Sequence, residues 1–349
     1  MSLISMAILS TFAYLTSKEL IQQVSVRQLD ALAESKKRDM ERVYRGWEDK
    51  LRLIRGMNQL QSGIKEYLES GDEDALARIT LMIRTIIGIV EKVDQIAVFD
   101  LKGNEIASSG NVKSDHVHEF PQKGISYAGC FPGEPSGIRV VLKTAVSLDG
   151  EVVGGLEMIV DGDDLFQITG NYTGLGETGE AMMVKLEDDD TVMVLNSLRH
   201  DPEGLLREFR LEDAPADIQE IFNAGQKKST VGVSDYRGET VWSATRYLPE
   251  LKWGLIVKVD AVEEEAKTDV LRDALFDTAL SLSAFTIIAG ILLGIYLTRP
   301  INRLVAVVEK IRDGAMDARA DTTGDDEIAY LAESLNEMMD HLDSRNKKS

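Results

Sequence analysis

Apolar positions change period several times along the chain, and each change marks a different kind of element. From Lys18 to about Ile89 they recur at helical spacing. Val43, Trp47, Leu51 and Ile54 step by four, four and three, which places them on one face. The run contains no proline, and charges fill the other positions. It predicts a helix longer than the globular norm, suited to a stalk or a dimer seam, with a break near Ser70-Gly71-Asp72.

After Val90 the period becomes alternating. Gln95 to Asp100 reads as a strand, and Leu101-Lys-Gly-Asn104 as a hairpin turn. Ile138 to Val146, the Asp149-Gly150 turn and Val152 to Val160 form a second hairpin. A second unit repeats the scheme. Ala181 to Lys185 and Thr191 to Leu195 bracket the acidic turn Glu187 to Asp190. A helix is expected at Ala214 to Asn223, then strands at Thr230 to Ser234, Glu239 to Tyr247 and Trp253 to Val259.

Thr278 to Leu297 breaks the pattern altogether. Its 20 residues carry no charge, and at ~1.5 Å rise per residue they cover the ~30 Å hydrocarbon core of a bilayer. Ala261 to Asp277 holds six acidic and two basic residues, whereas Arg299, Arg303, Lys310 and Arg312 follow the span with only Glu309 against them. The basic excess marks the C-terminal side as cytoplasmic. The expected location is therefore the inner membrane, with the sensor part periplasmic or extracellular. A shorter apolar stretch, Ser2 to Leu15, lacks a basic leader region and a cleavage site, and reads as part of a first transmembrane helix.

Beyond the span, Ile301, Leu304, Val308 and Ile311 form one narrow apolar seam. Ile328, Leu331, Leu335, Met338 and Leu342 form another, separated from the first by an acidic, glycine-containing connector. Two such helices cannot bury their seams alone, but two from each of two subunits make a parallel bundle. A homodimer is the expected assembly.

Charge and chemistry narrow the function. With 39 basic against 59 acidic residues, a net charge of -20, and no basic stripe, nucleic acid is excluded as a partner. The single cysteine, Cys130, cannot form an internal disulfide. His116 and His118 form an H-x-H pair with no third ligand nearby, so no metal or other cofactor is expected. There is no phosphate-binding loop, nucleophile elbow or kinase set, hence no catalytic residue to name. Gly174 to Gly179 reads G-L-G-E-T-G, but the helix that a dinucleotide site needs does not follow.

Three segments, Val98 to Ser109, Gly174 to Val184 and Tyr236 to Asp260, resemble the double Cache extracellular sensor domain. The most specific part is a strand, a proline-containing loop and a Trp-Gly pair opening the last strand. The segment from about Leu297 onward resembles a HAMP linker, carried by Pro300, Gly314, Met316 and Glu327, although Ala329 and Ala320 depart from the usual residues. The implied fold is α+β: a long N-terminal helix with two PAS-like (Cache) lobes, a transmembrane helix and a HAMP parallel helical bundle. The implied divisions are residues 1–17, a partial first transmembrane helix; 18–92, the long helix; 93–170, the distal lobe; 171–266, the membrane-proximal lobe; 278–297, the second transmembrane helix; and 298–349, the linker.

The resemblance implies a small-molecule ligand of unknown identity in the distal lobe and a downstream signalling protein or domain, of the chemoreceptor or sensor histidine kinase type. Candidate ligand-binding residues are Tyr127, Phe131, Arg139, Lys143 and Glu157. Arg139 and Lys143 share a strand face by parity and either meet an anion or lie on a solvated face. Amino-acid-sensing relatives carry an Arg-x-Trp-Tyr motif before this hairpin and an aspartate after it. Gln122 to Tyr127 lacks the former and Ile159 stands in place of the latter, which speaks against that scheme. The rival readings are a membrane-anchored binding or scaffold module without signalling output, and a fragment of a secreted hydrolase.

Overall fold

The structure is a computed structural model and describes residues 2–114, 119–133, 137–188, 190–224 and 228–346. The H-x-H pair lies outside them. The chain divides into two compact units. One holds residues 17–269, and the other holds residues 1–16 with 270–349.

In the unit of residues 17–269 the long helix α1 (Ser2–Arg55) continues to Arg55, followed by α2 (Asn58–Ser70) and α3 (Glu73–Ile89). Gly71 ends α2 in the left-handed conformation, and the Asp72 carboxylate caps α3 by accepting from the amides of Asp74 and Ala75. The expected break at Ser70-Gly71-Asp72 is therefore present. A second break at Gly56-Met57 carried no comparable turn chemistry, so two helices were expected and three are found. The seam Trp47, Leu51 and Ile54 is at most 2% exposed. It packs into the chain's own core with Leu29, Ala33, Met40 and Tyr44, so this stretch of α1 is covered by its own sheets and not by a dimer partner.

Two antiparallel sheets lie against these helices. The distal sheet comprises β1 (Val93–Phe99), β2 (Glu105–Gly110), β3 (Ile125–Pro132), β4 (Ile138–Leu148) and β5 (Glu151–Asp161), in the order β2-β1-β5-β4-β3. After α4 (Asp163–Gly170) a second sheet follows, named membrane-proximal after the expectation for its residues. It has β6 (Glu180–Leu186), β7 (Thr191–Val194), β8 (Glu208–Arg210), α5 (Ala216–Ala224), β9 (Lys228–Ser234), β10 (Thr240–Leu248) and β11 (Trp253–Asp260). Its order is β8-β7-β6-β11-β10-β9. Both sheets place an opening hairpin beside the last strand of a three-strand meander, so the two lobes repeat one topology. Strand β3, with its glycine and cysteine, lacks the clean alternation that revealed β4 and β5.

The lobes are tied to α1 by buried cations. Arg246 on β10, 1% exposed, reaches Asp30 at 2.8 Å and Glu34 at 2.7 Å. Lys36 donates to the carbonyls of Ile168 and Asn171 at the end of α4 (2.6 and 2.7 Å), satisfying backbone acceptors that a helix end leaves unpaired. Burial lowers its pKa, against the pull of Asp39.

In the second unit, α6 (Ala261–Arg312) runs without interruption through Thr278–Leu297 and through Pro300. It is the one helix among the described residues long and apolar enough to cross a membrane. Gly314 follows its end at φ +96°, a conformation that favours glycine, and α7 (Glu327–Asn346) opens at Glu327. Between them the amide of Ala320 donates to Asn336 Oδ1 (2.8 Å), and Asn336 Nδ2 donates back to the Ala320 carbonyl (2.9 Å). Small Ala320 fits this close clasp, beside buried Ala329 and Ala332. Val308, Leu331, Met338 and Leu342 remain about half exposed within one chain.

Candidate functional site

The distal sheet has two faces of different character. One, with Ile96, Val98, Val140, Leu142, Leu156 and Met158, belongs to the hydrophobic core. Register defines the other: Ala97 lies opposite Glu157, and Glu157 opposite Lys143, with Phe99, Val141 and Ile159 nearby on the same face by parity. Lys143 is 1% and Glu157 2% exposed. Their charged ends stand 3.3 Å apart.

Two residues between β2 and β3, Ser114 and Phe120, lie against this face. Ser114 donates to Glu157 Oε1 at 3.0 Å. The Phe120 ring stacks on Phe99 with centroids 5.3 Å apart and lies 5.9 Å from the Lys143 ammonium. Gly155 permits this, because a Cβ there would come within 2.5 Å of Phe120. A buried ion pair costs desolvation of both charges, and it is retained here beneath Ser114 and Phe120 on the face away from the core.

The five sequence-level candidates separate. Lys143 and Glu157 meet on the covered face. Arg139 also lies on it but is held at the sheet's end between Asp94 and Asp161, 3.2 Å from the latter, with Phe131 opposite it on β3. Tyr127 turns to the other face: it pairs with Leu142, packs against the core, and accepts a hydrogen bond from Trp253 in the membrane-proximal lobe. Burial pushes its phenol pKa far up. Residue parity could have separated Tyr127 from Lys143, but the bulge between Tyr127 and Gly129 shifts the count along β3.

The membrane-proximal lobe carries a comparable cluster that the sequence reading missed. Lys258 on β11, 1% exposed, pairs with Glu180 at 3.2 Å and Asp235 at 2.8 Å under the Tyr236 ring at 4.0 Å. Burial opposes ionisation of Asp235, yet Lys258 and Arg237 hold its carboxyl below the usual range. Asp217 on α5 is 1% exposed, and its Oδ2 has no hydrogen-bond partner among the described residues. Burial pushes its pKa up against the pull of Lys258. Hydrophobic periodicity cannot find such residues, because they interrupt it.

Among the described residues no group of three or more His, Cys, Asp or Glu side chains is placed to hold a metal. Cys130 is buried, and burial raises its thiol pKa.

Residues 292–344 match the HAMP domain family. No curated protein matches the chain. Among solved structures, the chain resembles an extracellular domain assigned to a histidine kinase, vpHK1S-Z8, at 14% identity and a TM-score of 0.52, covering 70% of this chain and 96% of that one. It also resembles the sensory domain of the Campylobacter jejuni chemoreceptor Tlp3, solved with isoleucine bound, at 10% identity and a TM-score of 0.50, covering 71% and 97%. The same domain in a second structure gives 10%, 0.50, 71% and 98%. The chain carries a HAMP segment and, before it, a fold shared with these two sensory domains. At these identities the likeness of the sensor is one of fold, which accords with the doubled lobe topology and the helical scaffold. Both sheets lie within residues 17–269, and Pro300, Gly314, Met316 and Glu327 all fall inside the HAMP match.

Proposed function

We propose that this double Cache–HAMP chain is a transmembrane receptor. It takes a small ligand onto the covered face of the distal lobe and passes the change along α6 to a dimeric HAMP bundle. The bundle in turn acts on a downstream signalling domain or protein. One observation carries the reading: a lysine–glutamate pair, each at most 2% exposed, lies on the face of the distal sheet away from the core, with Ser114 and Phe120 against it. Lys143 offers donors to an anionic or carbonyl group, and Glu157 accepts from an amine or hydroxyl. Displacing the Phe120 and Ser114 cover exchanges internal contacts for contacts with ligand, and such an exchange lets a ligand favour one of two loop arrangements. The Tlp3 domain with bound isoleucine supports a ligand of this size. Ile159 on the same face supports a pocket of different polar chemistry.

The membrane placement rests on α6. Its uncharged span, with acidic residues before and basic residues after, supports an inner-membrane location with the lobes outside and the HAMP segment in the cytoplasm. The half-exposed Val308, Leu331, Met338 and Leu342 support a parallel homodimer, since such stripes need a partner. The N-terminal stretch of α1, with Ile8, Leu9, Phe12 and Leu15 exposed, is read as part of the first transmembrane helix.

Thermal-shift screening of the full chain in detergent against amino acids, organic acids, amines and sugars tests this function. A stabilising compound is expected whose effect is lost on Lys143→Met and kept on Lys102→Met at the exposed β1–β2 turn. A compound that stabilises both variants equally would contradict the distal site. Stabilisation without any effect on the HAMP helices would favour a membrane-anchored binding module.

A further inference from the structure

The G-L-G-E-T-G turn is not a nucleotide loop, but it does bind a carboxylate. That carboxylate is Glu263, in the first turn of α6. The amide of Glu177 donates to Glu263 Oε1 at 3.1 Å, and the amide and hydroxyl of Thr178 donate to Oε2 at 2.9 and 2.5 Å. The Thr178 hydroxyl oxygen also accepts from the amide of Asp260 at 3.1 Å, which fixes the junction between β11 and α6. Gly176 has φ +67°, and a Cβ there would stand 1.9 Å from Glu263 Oε1. Only glycine lets the backbone close round the carboxylate. Burial works against ionisation, but these donors hold the Glu263 carboxyl below its ordinary range.

The same loop touches the other long helix. Gly174, at φ +81°, would place a Cβ 3.3 Å from the Leu32 side chain of α1. Arg199 donates to the carbonyls of Gly176 and Gly179, both at 3.0 Å, which holds the turn in shape. Residues 174–179 are thus wedged between α1 and the start of α6, directly before β6 of the membrane-proximal sheet.

We propose that the Glu263 carboxylate in the 174–179 loop is the coupling latch of the receptor. While it is seated, movement of the membrane-proximal lobe drives α6. When it is released, the lobe and the helix move independently. The proposal rests on the relay reading above. It adds that the first turn of α6 is gripped through a side chain as well as through the continuous backbone.

The test uses the full chain in lipid nanodiscs, with Cys130→Ser and Val308→Cys, and follows disulfide cross-linking between HAMP helices of two protomers. Glu263→Gln and Thr178→Val are compared with the exposed neighbour Glu265→Gln. Both latch variants are expected to change the cross-linking rate by about fivefold or more, the lower end of ordinary coupling between sites, while Glu265→Gln leaves it unchanged. Hydrogen exchange is expected to show faster exchange of the Glu177 and Thr178 amides in Glu263→Gln and unchanged exchange of Met182 to Val184 in β6. Unchanged cross-linking with exposed amides overturns the latch while the dimeric relay stands. Unchanged amides overturn the contact itself. No cross-linked dimer in the otherwise native chain contradicts the relay, and the latch falls with it.

Discussion

The indole N–H of Trp253 donates to the phenolic oxygen of Tyr127 at 3.0 Å, with the two rings edge-on and their centroids 5.8 Å apart. Tyr127 sits on β3 of the distal lobe, and Trp253 opens the strand that leads into α6. Lys185 adds a second link, donating to the Cys130 carbonyl at 3.4 Å. Strand β3 is thus joined to β11, which leads into α6, and to its neighbour β6. Tyr127→Phe should cost ~1 kcal/mol, the net worth of one hydrogen bond. Trp253→Ala should cost ~3–5 kcal/mol through the cavity it leaves. Thermal melts of the full chain in detergent measure both.

The Lys143–Glu157 pair should behave as a buried ion pair does. Removing either charge alone, in Lys143→Met or Glu157→Gln, takes a buried ionic partner from the other and should cost ~3–5 kcal/mol. The double variant Lys143→Met with Glu157→Met should recover most of that loss while binding no ligand. A double variant that melts as low as the single ones contradicts the pairing.

Asp217 makes stability depend on pH in a defined direction. Its carboxyl pKa is raised in the fold, chiefly by burial. The folded state therefore holds this proton more tightly than the unfolded state does. Its contribution is fully present below the unfolded pKa and is lost as pH rises through the folded pKa. Asn at this position keeps an acceptor for the Ile218 amide and removes the charge. Asp217→Asn should raise stability at neutral pH by on the order of 1 kcal/mol, for relieving an unpaired buried group, seen as a higher melting temperature. The gain should vanish in acid. Glu263 has the opposite sign: its lowered pKa gives stability above the unfolded value that is lost as pH falls through the folded one.

Asn336 clasps the HAMP connector through both faces of its amide. Asn336→Ala leaves the Ala320 amide and carbonyl without these partners and should cost ~1–3 kcal/mol locally. Faster hydrogen exchange across Asp317 to Thr323, with the sensor lobes unchanged, is the expected result.

The sequence made some elements plain and hid others, for physical reasons. Long alternation disclosed β4, β5, β10 and β11, and absence of charge disclosed the long apolar stretch inside α6. The break at Gly71 announced itself through Ser, Gly and Asp, whereas Gly56-Met57 did not. Strand β3 was hidden by its bulge and by half-buried residues on both faces. Of the candidates, Arg139 and Lys143 were put on one strand face by parity, while the pairing of Lys143 with Glu157 needed the register. Tyr127 was misplaced, because an aromatic residue beside a pocket strand serves a lobe junction equally well. The Glu263 contact was invisible, since it joins residues 85 or more apart in sequence through backbone amides. The pattern G-L-G-E-T-G was set aside as a dinucleotide loop, and the anion it holds is the chain's own Glu263 carboxylate.

The most direct measurement of the central claim is the membrane topology of α6. In a Cys130→Ser background, single cysteines replace Lys102 in the distal lobe and Asp325 in the HAMP connector, and intact spheroplasts are treated with a membrane-impermeant maleimide. Lys102→Cys should label at once, and Asp325→Cys only after the membrane is permeabilised. Equal labelling of the two before permeabilisation would show that no membrane separates them, and the receptor account would fall.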